Sequence, residues 1–172
     1  MPAQGISLAE MPSRQEDNAD GPVVRRATPG DAPQVARLLR DFNAEFDEST
    51  PDAETLEERY SELIRNKEMI VLLTGDGPDG FAQLRFRPWV HTAGLHSYLE
   101  ELYVVPDLRG NGLGRALMET AIETARSEGA DFMELGTSED DAAARGLYES
   151  AGFINREGGP DGPVMFVYER DL

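Results

Sequence analysis

At 172 residues, with 40% hydrophobic and 28% charged side chains, the chain has the size and balance of one domain with its own hydrophobic core. Its net charge of -17 argues against a broad nucleic-acid or anionic-membrane surface, because phosphates would be repelled, and it suits cationic partners such as amines. The lack of cysteine excludes disulfides, thiolate nucleophiles and cysteine-ligated zinc, and the two histidines, His91 and His96, form no zinc-binding pattern, so no metal is expected.

Residues 1–22 are polar, contain proline and lack periodicity, which predicts a flexible extension ahead of a domain over residues 23–172. Val23–Ala27 reads as a first strand. Thr28-Pro-Gly-Asp31 is a helix start, with a hydroxyl cap, a proline in the first turn and an acid three residues on. Val35, Leu38, Leu39, Phe42 and Phe46 then share one helical face. Pro51 to Asn66 gives a second amphipathic helix, with Leu56, Tyr60, Leu63 and Ile64 inward. Met69–Thr74 and Phe81–Phe86 flank a dense turn signal and predict an antiparallel hairpin. Ser97–Val105 is the next strand. Leu113, Leu117, Ala121 and Ala125 mark the buried stripe of a helix that Gly129 ends. A strand over Phe132–Gly136, a helix from Asp141 to Ser150 stopped by Gly152, and a final strand over Val164–Tyr168 complete the order. Hairpins first and a strand–helix–strand–helix passage later predict an α+β sandwich with a mixed sheet. No apolar run approaches the ~20 residues of a membrane span. The N-terminus lacks a charged-then-apolar signal pattern, so a cytoplasmic protein is the default expectation.

The run from Leu102 to Leu117 carries the strongest chemical signal. A strand meets Pro106, then a turn with Gly110, Gly112 and Gly114, then a helix. The first amides of a helix lack partners within it, and the helix dipole makes that end positive, so such a turn can hold a phosphate with main-chain N–H groups. Lys67 is the only lysine, which excludes a P-loop. A dinucleotide fingerprint fits poorly, since the third glycine comes one residue early and Arg115 occupies its place. A purely structural turn and a phosphate cradle of another kind both remain open on spacing alone.

The surrounding residues resemble the GNAT-type N-acetyltransferases. Arg109, Gly112 and Gly114 match that family's pattern Arg/Gln-x-x-Gly-x-Gly/Ala, with Val104-Val-Pro106 ahead of it. Ala144-Arg-Gly-Leu-Tyr-Glu-Ser-Ala-Gly-Phe153 resembles its second signature. Tyr98-Leu-Glu-Glu-Leu-Tyr-Val104 is similar to the corresponding strand of polyamine and thialysine N-acetyltransferases.

The resemblance implies an α+β fold, with a mixed, mostly antiparallel sheet of six to seven strands flanked by about four helices. It implies acetyl-CoA as co-substrate. Leu102, Tyr103 and Val104 would offer backbone groups to the pantetheine arm, wedged between splayed strands. Arg109 and the amides of Gly110, Asn111, Gly112, Leu113, Gly114 and Arg115 would take the pyrophosphate. The implied reaction is direct attack of a primary amine on the thioester, with Tyr148 as acid and Glu100 as base. Strand alternation puts Glu101 on the opposite face unless a bulge intervenes, where it would bind a substrate ammonium or face solvent. Trp89 is a candidate wall of the acceptor pocket. Phe42, Phe46 and Tyr60 are candidates for lining it, although core spacing already explains them. His96 is an alternative base or a structural histidine. Many members carry Asn where this chain has Asp141, which makes a helix cap the simpler role there. Four readings stay beside transfer to a small-molecule amine: an aminoglycoside acceptor, a protein N-terminal or lysine acceptor, a non-catalytic CoA-binding module, and a flavin or nicotinamide oxidoreductase. The resemblance is also compatible with a homodimer.

Overall fold

The computed structural model describes residues 21–75, 77–168 and 170. The extension expected over residues 1–22 lies outside these, apart from Gly21 and Pro22. The described elements are β1 (Val24–Arg26), α1 (Ala32–Glu45), α2 (Ala53–Arg65), β2 (Ile70–Thr74), β3 (Gly80–Pro88), β4 (Leu95–Val104), α3 (Leu113–Ser127), β5 (Ala130–Leu135) and α4 (Ala142–Ser150).

One five-stranded sheet runs β1-β2-β3-β4-β5. The first four strands pair antiparallel and β5 joins β4 in parallel. That parallel step follows from α3, which carries the chain back across the sheet as a crossover. Both faces of the sheet are covered. Val71, Leu73 and Phe81 pack with Val35, Leu38, Leu56 and Tyr60 of α1 and α2. Their neighbours Leu72, Ala82 and Leu84 pack on Leu117, Met118 and Ala121 of α3. Burial on both faces explains why β2 is a continuous apolar run rather than an alternating one.

The predicted helix starts match local chemistry. Asp31 accepts from Thr28 N at 2.7 Å and Thr28 Oγ1 at 2.8 Å, and a 3-10 turn over Pro29–Asp31 leads into α1. Arg25 donates to the same carboxylate, and with Thr28 it holds the Asp31 carboxyl far below the ordinary range. Asp52 caps α2 through Thr55 N at 2.9 Å, and Asp141 caps α4 through Ala144 N at 2.9 Å.

The expected six to seven strands reduce to five among the described residues. Val164–Tyr168 is not a strand: it makes one antiparallel bridge, Arg156 to Val164, beside Met165 N–H donating to Asn155 O at 2.9 Å. Pro160 and Pro163 remove donors next to it, and Gly158 and Gly159 take positive φ of 71° and 126°. Phe166, Val167 and Tyr168 are 73%, 69% and 90% exposed, so no packed face rewards an extended ladder there.

Candidate active site

The site forms where β4 ends. β4 pairs with β5 only over Leu95–Leu99, so its last five residues, 100–104, leave β5 behind. The backbone of Leu102, Tyr103 and Val104 therefore runs along an opening in the sheet. A 3-10 turn over Pro106–Leu108 then swings the chain into the glycine turn and α3. Gly110 and Gly112 take φ of 80° and 83°, a region open to glycine but strained for L side chains. Nothing lies within 4 Å of where a Cβ would stand at either glycine, so the main chain faces open space there.

A cleft of about 960 Å³ covers this turn. Leu102, Tyr103, Val104, Arg109, Gly110, Gly112, Gly114 and Arg115 line it, together with Asp141, Leu147 and Tyr148 from the α4 side and Phe42, Glu45 and Phe46 from α1. At two predicted cofactor residues, whose expected contacts are main-chain amides, the side chains support the turn. Asn111 Nδ2 donates to Leu108 O at 3.2 Å, which braces the turn, and Leu113 packs against the α3 core. The open cradle at a helix N-terminus, with Arg109 and Arg115 beside it, fits an anionic diphosphate. Among the described residues, no cluster of His, Asp or Glu is arranged to hold a metal ion. None of the described helices is long and apolar enough to cross a membrane.

The glycines separate by conformation. Gly112→Ala is expected to cost about 1–2 kcal/mol of stability, because only its positive φ resists a side chain. Gly114 meets Leu147, Val104 and Leu102 at 3.7 to 4.0 Å, which is ordinary contact, so Gly114→Ala should hold stability to within about 1 kcal/mol. Denaturant unfolding of both variants checks the contrast.

The pairing of β3 with β4 contains a β-bulge. Gln83 pairs with Glu101 while Leu84 pairs with Leu99, which leaves Glu100 as the extra residue. The bulge resets the alternation of β4: Leu99 packs on the α3 side and Tyr103 on the α1–α2 side. Glu100 and Glu101 therefore do not oppose each other as strict alternation predicts. Both sense Tyr60 of α2, whose hydroxyl donates to Gln83 Oε1 at 2.9 Å. Gln83 Nε2 in turn donates to Glu100 at 3.3 Å, and Arg85 Nε lies 3.0 Å from Glu100 Oε1 and 3.2 Å from its Oε2.

The two carboxylates thus differ in surroundings. Glu100 is held by a guanidinium and an amide. Glu101 has no such cation among the described residues: burial, then the charges of Glu100 and Glu48, push its carboxyl up to about 7. Burial raises the Tyr148 hydroxyl to about 12, with Asp141 and Glu101 adding to the effect. Tyr148 therefore keeps its proton at neutral pH, and Glu101 is one of the charges it faces.

Trp89 is not at this site. It follows β3 at the end that pairs with Leu95, and stacks with Phe132 at 4.5 Å between ring centroids and with His96 at 5.4 Å. The six residues back to Gln83 span about 20 Å of strand. His96 is buried beneath the half-buried Trp89: its Nδ1 accepts from Arg87 Nε at 2.9 Å and its Nε2 lies 3.0 Å from Glu134. That is a structural arrangement remote from the cleft. Phe42 and Phe46 do line the cleft, whereas Tyr60 acts from beneath through Gln83. Sequence reasoning missed Gln83, Glu45 and Glu48. Only sheet register and helix packing bring them to the site, so no local spacing marks them.

A strand that parts from its neighbour, a glycine turn and a tyrosine across one cleft match what comparison with known proteins finds. The acetyltransferase (GNAT) family model matches residues 33–153. The chain belongs to the GNAT family. It is an acyltransferase of the N-acetyl-transferring kind, and acetyl-CoA is the donor the family uses. An aminoglycoside N(6')-acetyltransferase type 1 from Stenotrophomonas maltophilia is 30% identical over 81% of this chain and 90% of its own length. The thialysine N-epsilon-acetyltransferase of Caenorhabditis elegans is 26% identical over 74% of this chain and 80% of its own. A crystal structure from Arthrobacter sp. FB24, described as a candidate acetyltransferase, is 43% identical and superposes with a TM-score of 0.83 over 91% of this chain and all of that one (100%).

Proposed function

We propose that this GNAT enzyme acetylates a small, cationic primary amine, with Glu101 as base and Tyr148 as acid. The observation that carries the reading is a carboxyl raised to about 7, Glu101, whose charge is felt by the protonated phenol of Tyr148, which lines the cleft that holds the glycine turn. Titratable groups whose surroundings push their pKa values apart mark acid and base assignments. Acetyl-CoA supplies an activated thioester. The turn amides of 110–115 and Arg115 hold its pyrophosphate, and the free backbone of Leu102, Tyr103 and Val104 takes the pantetheine arm as an added strand.

An ammonium must lose a proton before its nitrogen can attack the acetyl carbon. Glu101, half ionised near pH 7, accepts that proton directly or through one water. As the carbon–sulfur bond breaks, Tyr148 donates its hydroxyl proton to the departing sulfur and is reprotonated by the second proton that the nitrogen sheds on becoming an amide. Glu100 takes a different part from the one first expected. Its charge is anchored by Arg85 and Gln83 and keeps the neighbouring Glu101 basic. Three acids close enough to feel one another, Glu48, Glu100 and Glu101, favour an acceptor with more than one positive charge. Aminoglycosides and diamines both have that character, and the relatives named above support it.

Glu100→Gln separates the two assignments. Removing its charge lowers the carboxyl of Glu101, so the acid limb of the pH–rate profile should move to lower pH while turnover persists. If Glu100 itself were the base, the limb would vanish and turnover would fall steeply. A steady-state profile from pH 5.5 to about 9 reads the difference.

A further inference from the structure

The donor side of the cleft contains an unexpected acid. Glu45 closes α1, and its two oxygens accept from Arg109 Nη1 and Nη2 at 2.7 and 2.6 Å. Arg109 Nε donates to Val104 O at 2.9 Å, and the guanidinium carbon lies 5.6 Å from the centroid of the Tyr103 ring. Phe42, one turn earlier on α1, packs on the same ring at 5.3 Å. The arginine that the family pattern assigns to the diphosphate is therefore held on one strand carbonyl, one ring and one carboxylate.

A guanidinium carries five N–H donors. Val104 and Glu45 engage three, which leaves one on each terminal nitrogen. We propose that Glu45 is a positioning residue for the donor: it fixes the plane of Arg109 so that one of these remaining N–H groups meets the pyrophosphate. This rests on the reading of acetyl-CoA as donor. The ion pair is neutral overall, so Glu45 contributes orientation rather than charge. A flexible arginine has more rotamers to lose on binding a phosphate, and a bidentate partner removes that loss in advance. The same bridge ties the end of α1, which leads into the segment carrying Glu48, to the end of β4.

Calorimetric titration of CoA and of pantetheine into the wild-type chain, Glu45→Gln, Arg109→Gln and the double variant tests this. Pantetheine lacks the pyrophosphate and serves as internal control for the shape of the cleft. Glu45→Gln should raise the CoA Kd about fivefold, the scale of a half-exposed ion pair. It should leave the pantetheine Kd unchanged. In the Arg109→Gln background it should add nothing, because the two residues act as a unit. Tighter or unaltered CoA binding by Glu45→Gln would overturn the proposal, the first by making Glu45 a competitor for Arg109. Equal losses for CoA and pantetheine would also overturn it, by making Glu45 a support of the cleft wall. A wild-type chain that binds no CoA at all sinks the donor reading itself, and is told apart by that first titration.

Discussion

Glu101→Gln should lower kcat by about 10²- to 10³-fold, the range lost with a general base. It should also erase the acid limb of the pH–rate profile. In the wild-type enzyme the carboxyl, raised to about 7, must be ionised to accept a proton, so the rate climbs as pH rises through 7. In the variant, the rate should follow only the amine's own deprotonation and keep rising into alkaline pH. A stability effect of opposite sign goes with it. A carboxyl whose folded pKa lies above its ordinary 4.5 costs the fold stability as pH rises from 4.5 to 7. Glu101→Gln removes that cost, so the variant should unfold at a higher denaturant concentration than wild type at pH 8. Loss of rate with gain of stability is the mark of a group placed for chemistry. A fall in both would make Glu101 a structural residue.

Tyr148→Phe should slow turnover by about 10²-fold while leaving CoA affinity unchanged. The phenol rests among Phe153, Leu147 and the α3 core, and its ring packs on Phe153 at 6.3 Å between centroids. Removing one oxygen keeps that packing. Burial has raised the hydroxyl to about 12, so it keeps its proton near neutral pH and holds it until the thiolate develops. Acceptors do not change the expectation, but leaving groups do: with a donor whose thiolate is more stable than that of CoA, the defect should shrink. A defect of the same size for every thiol, or no defect, would take the acid role from Tyr148.

The donor half was legible in the sequence because its signals are local. Proline, three glycines and a helical stripe follow one another within the run Leu102–Leu117, and each constrains its own backbone. The acceptor half was not legible for a single physical reason. Which face of the sheet Glu100 and Glu101 take depends on one extra residue in the pairing of β4 with β3, and a bulge is a property of two strands rather than one. The same limit placed Trp89 at the site, since the sequence shows that a β3–β4 turn exists but not how far its tip lies from Gln83. Val164–Tyr168 has the composition of a strand, yet propensity without a packed partner did not make it one. Glu45 resembles any helix-end acid until Arg109 is found beside it.

The central claim is acyl transfer from acetyl-CoA to a small cationic amine. The most direct measurement is acetyl-CoA-dependent CoA release with a panel of polyamines, amino acids, aminoglycosides and peptides, each with mass analysis of the product. Release above the hydrolytic background is expected for at least one polycationic small molecule, with one acetyl group gained on a primary amine. Release only with peptides, or from no amine at all, would contradict it.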